Sequence, residues 1–386
     1  MKIAFLTPEY PHPKTGSSGG IGTSIKNLAM GLLVENSSVR VLVYGQKEEA
    51  VFDDNGITIQ QIKNVKFKGL SWWLTRKKLE RIINQLFADK EIDLVEAPDW
   101  TGITSFIQPK KCPIIIKLHG SDTYFCHLDN RPVKWVNKFH ERRALQKADG
   151  LLSVSQFTAD LTNEVFGLEK EFTIIPNSID VDFFNDNSNN NGNFNSKKAI
   201  LYFGSLIRKK GLLELPFIFN EVIQKNPEAQ LILIGKDVSD VITGNPSTWA
   251  MMQELFTTEA LPKVSYLGSV PYQEIKAHIK TAGVCVFPTF AEALPVSWIE
   301  AMALQKPIVA SDIGWAKEVI EEGVEGFLVH PKNHKQYAER ILELLESPEL
   351  QESFGIAARK KVVSTFSTPV VAQQSLLFYK KLIETK

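Results

Sequence analysis

Short apolar runs alternate with helix-like segments along this chain, in two series divided by a stretch that cannot pack. The first series occupies residues 3–6, 39–44, 93–96, 114–118, 150–154 and 172–175. The second occupies 199–203, 230–234, 264–266, 284–287, 307–310 and 326–329. Runs this short and uniformly apolar read as strands buried on both faces, and the helical segments between them make them parallel. Between the series lies NDNSNNNGNFN, residues 185–195. Its Asn, Asp, Ser and Gly carry too little apolar surface to offset the entropy of ordering. The chain thus divides into a domain at 1–184, an Asn-rich linker or loop at 185–197 and a second domain at 198–366. A final helix at 367–386 is expected to cross back to the first domain. Two cores also suit a length of 386 residues. The fold class is α/β with two doubly wound parallel sheets, and a ligand is expected in the cleft between them, beyond the carboxyl ends of the strands.

Charge excludes one broad class. Lys+Arg and Asp+Glu are both 44, so the net charge is zero, which argues against a general nucleic-acid binder. The three cysteines, Cys112, Cys126 and Cys285, are too few and scattered for a disulfide framework and read as buried thiols in a reducing compartment. The apolar N-terminus stops at Thr7-Pro8-Glu9 and reads as a first strand rather than a secretion signal. No stretch approaches the roughly 18 apolar residues of a membrane span. A cytoplasmic protein is therefore expected, with peripheral contact at the inner face of a membrane as a further expectation. That contact would run through residues 63–81, which carry seven cations, one acid and a Trp pair, and through the cationic stretch 131–147 around Trp135. Cations interleaved with aromatics suit an anionic membrane surface or a phosphorylated lipid acceptor. The plainer alternative is a solvated helix face with Trp72 or Trp73 in the core.

Four segments carry candidate chemistry. The glycines of 16–22 follow the first strand and precede a helix at 23–33, where backbone amides and the helix N-terminus can approach an anion. A tight turn is the alternative, since dinucleotide-fingerprint spacing is lacking. His119-Gly120 closes the strand 114–118, where a side chain emerges at the ligand end of a parallel sheet. Arg208-Lys209-Lys210 opens a helix after the strand 199–203 and can neutralise a pyrophosphate, although part of this run reads as solvated charge. The fourth segment is EALPVSWIEAMALQKP, residues 292–307. Pro295 suits the first turn of a helix, and Glu300 is a carboxylate in a helix otherwise apolar almost all round. Burying it without a polar partner costs several kcal/mol, so the acid is expected to meet a polar ligand at the helix start, where free N–H groups also attract anions. Glu292, eight residues earlier, would face the same ligand from another depth.

These segments, in this order, resemble the retaining glycosyltransferases of family 4, which share the GT-B fold of two facing Rossmann-like domains. The resemblance spans nearly the whole chain. It includes the opening TPEYPHPKTGSSGGIGTSIKNLAMGL, then EAPDW, LHGSD, IPNSID, FGSLIRKKG and LIGKD, and the Glu-x7-Glu segment followed by KPIVASDIGWAKEVIEEGVEGFLV. It implies that Glu292 contacts the donor hexose near the reacting centre and that Glu300 holds the ribose hydroxyls. It gives the diphosphate to Lys210, with Gly19 and Gly20 closing over it, and the diphosphate or the sugar to backbone amides around Leu294, Val296 and Ser297. His119 would lie near the donor sugar, and Asp99 and Asp122 would serve the acceptor. One departure stands out: where many members have Gly-Arg, this chain has Gly204-Ser205, which leaves Ser205 at the donor phosphates and Arg208 as the candidate substitute cation.

The resemblance implies hexosyl transfer from a nucleotide-diphosphate sugar, UDP-sugar first and GDP-sugar second, to a glycan or lipid-linked acceptor. Configuration would be retained by same-face attack through an oxocarbenium-like species, with no enzymic nucleophile assigned. No cofactor or metal is expected, and Asp180-Val181-Asp182 reads as a turn. Two rivals stay open: a GT-B epimerase acting on the nucleotide sugar alone, and a non-enzymatic two-lobed sugar-binding protein.

Overall fold

The computed structural model describes residues 1–16, 18–185 and 198–385. Most of the Asn-rich stretch, 186–197, lies outside the described residues. The chain forms two compact units, Met1–Asp180 with Phe366–Lys386, and Val181–Thr365. The first division falls a few residues before the Asn-rich run, and the final helix Thr368–Glu384 is part of the first unit.

The first unit is built on eight strands: β1 Lys2–Thr7, β2 Ser38–Gln46, β3 Ala50–Asp54, β4 Ile57–Lys63, β5 Leu94–Pro98, β6 Ile114–Leu118, β7 Gly150–Ser153 and β8 Thr173–Ile174. They lie in the order β3-β4-β2-β1-β5-β6-β7-β8. All neighbours are parallel except β3 and β4, a hairpin with Asp54 opposite Ile57. This hairpin has no place in the strand series read from the sequence. Its signal is Asn55-Gly56 between alternating runs, and both residues take the positive φ, 54° and 87°, of a two-residue hairpin turn. The helix Gly20–Val34 packs against Thr368–Glu384 so closely that a Cβ on Gly31 would lie 2.5 Å from Thr368 Cγ2.

Two opposite charges lie inside this unit. Glu96 on β5 and Lys117 on β6 are 3% and 2% exposed. Tyr379 of the final helix donates to Glu96 Oε2 at 2.6 Å, and Lys117 Nζ donates to the Pro176 carbonyl at 3.3 Å. Burial raises the Glu96 pKa, with the Lys117 charge and the Tyr379 hydrogen bond acting in the opposite direction.

The second unit has a six-stranded, all-parallel sheet: β9 Ala199–Phe203, β10 Gln230–Ile234, β11 Val264–Tyr266, β12 Val284–Phe287, β13 Ile308–Ala310 and β14 Gly326–Leu328. The order is β11-β10-β9-β12-β13-β14. β9, β12 and β13 are buried along their whole length, as expected for strands covered on both faces.

Tyr379→Phe removes the hydroxyl from the buried Glu96 carboxylate and keeps the ring. It is expected to destabilise the first unit by about 1–3 kcal/mol in urea unfolding. Stability equal to wild type would show that Tyr379 contributes nothing to holding Glu96.

Candidate active site

Glycines bring the loops of the second unit together. Gly204 and Gly235 follow β9 and β10 with φ of 141° and 145°, and a Cβ on Gly235 would lie 1.8 Å from the Gly204 carbonyl oxygen. Gly211, at φ 70°, ends the short turn Arg208–Lys210, and a Cβ there would lie 1.7 Å from the Pro288 carbonyl oxygen. Only a residue without a side chain permits these approaches. The turn is thereby pressed onto the segment after β12, where the Lys209 carbonyl accepts from the amides of Phe290 and Ala291 at 2.9 and 3.2 Å.

This packing places Lys210 Nζ 3.0 Å from Glu292 Oε1. Burial works against the ammonium, but Glu292 and, more weakly, Tyr202 and Glu300 outweigh it and hold the Lys210 pKa above the usual lysine range. The Tyr202 phenol is buried beside them and donates to the Ser205 carbonyl at 3.0 Å.

Glu300 lies in the helix Val296–Ala303 and is only 6% exposed. Tyr272, at the start of the helix Tyr272–Thr281, donates to its Oε1 at 2.7 Å. Phe183 stacks on the Tyr272 ring at 5.8 Å, fixing its direction. Burial pushes the Glu300 pKa up to about 7, with Tyr272 and Lys210 limiting the rise. Pro295 sits at the cap position, just outside the helix, rather than in its first turn. The amides of Val296 and Ser297 occupy that first turn, where a helix has no earlier carbonyl to offer them. Leu294 is buried in the segment just before Pro295. Lys210 thus lies within electrostatic reach of Glu292 and Glu300, and Val296 and Ser297 begin the helix that carries Glu300.

Arg208 departs from the expectation that it supplies a second phosphate-binding cation. Its guanidinium forms a two-pronged pair with Asp240, at 2.8 and 2.7 Å. The Asp240 side chain is 1% exposed and also accepts from the Thr243 hydroxyl and amide. Breaking a pair with one buried member leaves an uncompensated charge, so Arg208 is held for structure. Ser205 is exposed beside Gly204 and carries no charge to replace the missing arginine.

In the first unit Gly19 caps the helix that begins at Gly20, so Gly20 is helical and the helix starts three residues before the expected Thr23. The Glu9 carboxylate accepts from the Gly22 amide at 3.0 Å. His119 follows β6. Burial, with the nearby Lys117 charge, lowers its pKa to about 3, so the imidazole is neutral at physiological pH.

The His119 amide donates to Asp99 Oδ1 at 2.9 Å. Asp99 is 2% exposed, and burial raises its pKa to about 7. This places Asp99 beneath the His119 loop, as a positioning group rather than on the surface where an acceptor would be touched. Asp122 starts the helix Asp122–Leu128, and its Oδ2 accepts from Asn137 Nδ2 at 2.9 Å.

Two residues escaped sequence reasoning. Tyr272 gave no signal linking it to an acid 28 positions away. The buried Glu141 accepts from the amides of Thr101, Asp122 and Thr123 at 3.1, 2.9 and 3.1 Å, tying the loops after β5 and β6 together. It lies in a charged helix, Trp135–Lys147, where nothing in the sequence distinguishes it from its neighbours. Among the described residues no group of three or more His, Cys, Asp or Glu is placed to hold a metal ion.

Family models match both units: "Glycosyltransferase Family 4" over residues 18–183 and "Glycosyl transferases group 1" over residues 183–361. An uncharacterized glycosyltransferase of Methanocaldococcus jannaschii is 25% identical over 404 residues, covering 100% of this chain and 99% of that protein. Among solved structures, sucrose-phosphate synthase from Thermosynechococcus elongatus superimposes with a TM-score of 0.79 at 18% identity, with 100% of both chains covered. Anabaena HepE in complex with UDP and glucose gives 0.74 at 20% identity, covering 98% of this chain and 99% of that one. The fold is that of the GT-B glycosyltransferases. The chain belongs to glycosyltransferase family 4, and it is a transferase enzyme.

The raised Glu300 pKa has a consequence for the ligand-free protein. Below pH 4.5 both folded and unfolded states hold the proton and no penalty applies. Between pH 4.5 and about 7 the unfolded chain releases it while the folded protein keeps it, so stability falls as pH rises. Relative to Glu300→Gln, wild type is expected to lose about 3 kcal/mol across this window in urea unfolding. A pH-independent difference between the two would contradict the buried-carboxylate account.

Proposed function

We propose that the chain transfers a hexosyl unit from a nucleoside-diphosphate sugar to a glycan or lipid-linked acceptor, with retention of configuration. The observation that carries this reading is the placing of Lys210 against Glu292 and within electrostatic reach of Glu300, in the helix Val296–Ala303. A nucleoside diphosphate needs a cation for its phosphates and an acceptor group for its ribose hydroxyls, and this group of residues offers both. As the glycosidic bond breaks, negative charge grows on the β-phosphate, where the Lys210 ammonium and the Val296 and Ser297 amides would stabilise it. Lys210 then exchanges Glu292 for phosphate, and Glu292 is freed toward the hexose hydroxyls. The Glu300 carboxylate takes the ribose, and the hydroxyls it binds supply polar partners in a buried setting. His119, neutral, is assigned to the donor sugar, and Gly19 and Gly20 to the diphosphate, through the family resemblance. The sugar is attacked on the face its leaving group departs from, and no residue is assigned as a nucleophile. No metal enters this reading, because Lys210 and the helix amides supply the compensating charge.

The HepE complex holds UDP. That makes UDP-sugars the first donors to test and GDP-sugars the second. Peripheral contact with an anionic membrane surface through residues 63–81 is a separate part of the proposal, supported by exposed Phe67, Leu70, Trp72 and Trp73 among the cations.

A thermal-shift screen of UDP-, GDP- and ADP-sugars is expected to show one donor class raising the Tm. Lys210→Ala is expected to abolish that shift and to lower kcat/KM by about 100-fold or more. No stabilisation by any nucleotide sugar would sink the proposal. Isomerisation of the donor followed by NMR with no acceptor present would replace it with the epimerase reading.

A further inference from the structure

The two cationic, aromatic stretches of the first unit, far apart in sequence, meet around one cavity of about 780 Å³. Its walls come from the ends of β2 and β4, the loop after β5 and the starts of the helices Ser71–Ala88 and Trp135–Lys147. It therefore opens at the carboxyl edge of the sheet, the same edge on which His119 follows β6. Its volume lies within the range of small-molecule sites, roughly 300–1,000 Å³. Trp72, Trp135 and Phe139 line it and are 44%, 77% and 48% exposed. Neither Trp72 nor Trp73 is a core residue, so the plainer reading of the first stretch does not hold.

Arg76 sets this cavity apart from a merely greasy surface. It lines the cavity, is 7% exposed, and has no carboxylate partner among the described residues. Among the described residues its guanidinium donates to two backbone carbonyls, of Trp72 at 3.2 Å and Gly102 at 3.3 Å, and lies over the Trp72 ring at 5.5 Å, while its buried Nε has no hydrogen-bond partner. A guanidinium carries five N–H donors and a full charge, and leaving it buried without an anion is costly. Burial lowers its pKa, and the one opposing influence comes from the Tyr44 hydroxyl. The neighbouring backbone is strained as well: Thr101, a β-branched residue on the cavity wall, sits at φ 55°. The cavity is also tied to the His119 loop. Asn137 on its wall holds Asp122, and Thr101 shares the Glu141 carboxylate with the Asp122 amide.

We infer that this cavity seats the acceptor, and that the acceptor is a phosphate-bearing amphiphile whose phosphate pairs with Arg76 and whose apolar part lies against Trp72, Trp135 and Phe139. The inference rests on the transferase reading and narrows its acceptor to one class. Charge complementarity chooses the phosphate, since a guanidinium with no carboxylate partner among the described residues and an unpartnered Nε can take phosphate oxygens. The exposed aromatic wall chooses an apolar neighbour for that phosphate over a plain sugar phosphate.

Dodecyl phosphate, dodecyl maltoside and inorganic phosphate, each below its aggregation threshold, serve as probes, with the fluorescence of the cavity tryptophans as the signal. Dodecyl phosphate is expected to bind saturably, at least about ten-fold more tightly than dodecyl maltoside, because a charge-assisted pair adds to the apolar contact. Inorganic phosphate alone is expected to give no saturable change. Arg76→Gln is expected to erase the preference for phosphate. Trp135→Ala, which alters a largely exposed side chain and spares the fold, is expected to weaken both dodecyl probes. Equal binding of the two dodecyl probes, or a phosphate preference untouched by Arg76→Gln, would overturn the inference. Binding to anionic vesicles with none to free dodecyl phosphate would also overturn it, and would make the patch a membrane contact. A thermal shift with the nucleotide sugar, run on the same preparations, separates the two levels. A donor that binds while dodecyl phosphate does not rejects the acceptor class alone, and loss of donor binding rejects the transferase reading itself.

Discussion

The Lys210 ammonium, 3.0 Å from Glu292 and within electrostatic reach of Glu300, is the interaction around which the second unit is arranged. Its position depends on backbone rather than on side chains. Gly211 lets the Arg208–Lys210 turn meet the segment after β12, and Gly235 lets the ends of β9 and β10 close on each other. An alanine at either position would collide with a carbonyl oxygen well inside contact distance. The cost of holding a lysine in these surroundings is offset by the carboxylate beside it, so the charge survives burial. On the proposed function the site receives two phosphate groups, and such a charge would be in place before the ligand arrives.

The buried acids fall into two kinds, and the difference separates scaffold from site. Glu141 accepts three backbone amides and a threonine hydroxyl, which uses both of its oxygens on loops of its own unit. Asp240 is likewise filled, by Arg208 and Thr243. Among the described residues Glu300 has one side-chain hydrogen bond, from Tyr272, and burial outweighs it and the Lys210 charge to raise the Glu300 pKa to about 7. A carboxylate that is satisfied holds a fold together. One left short of partners in a helix this apolar is a place where a hydroxylated ligand adds what is missing.

Much of this was legible in the chain. The two strand series follow from apolar runs of the right length, and the observed sheets contain each of them. Glu300 announced itself because an acid among Trp298, Ile299, Ala301 and Met302 breaks the helix pattern. What stayed hidden depends on partners distant in sequence. Arg208 looks like a phosphate ligand until Asp240, 32 residues on, is found beneath it. Tyr272 and Glu141 are ordinary members of ordinary helices until the fold brings Glu300 and three loop amides to them. The β3–β4 hairpin is signalled by Asn55-Gly56, but its partly exposed, alternating strands lack the uniformly apolar runs of the parallel series. Pairing across a sheet or between loops is a tertiary fact, whereas periodicity and local composition are not.

On the proposed function a nucleoside diphosphate takes the place of Glu292 on Lys210 while its ribose meets Glu300. A crystal structure of the protein with the nucleoside diphosphate selected by thermal shift tests this most directly. The account predicts a β-phosphate oxygen within hydrogen-bond distance of Lys210 Nζ, ribose hydroxyls on the Glu300 carboxylate, and Glu292 released from the ammonium. A bound nucleotide that leaves the Lys210–Glu292 pair intact, or whose ribose lies away from Glu300, would contradict it.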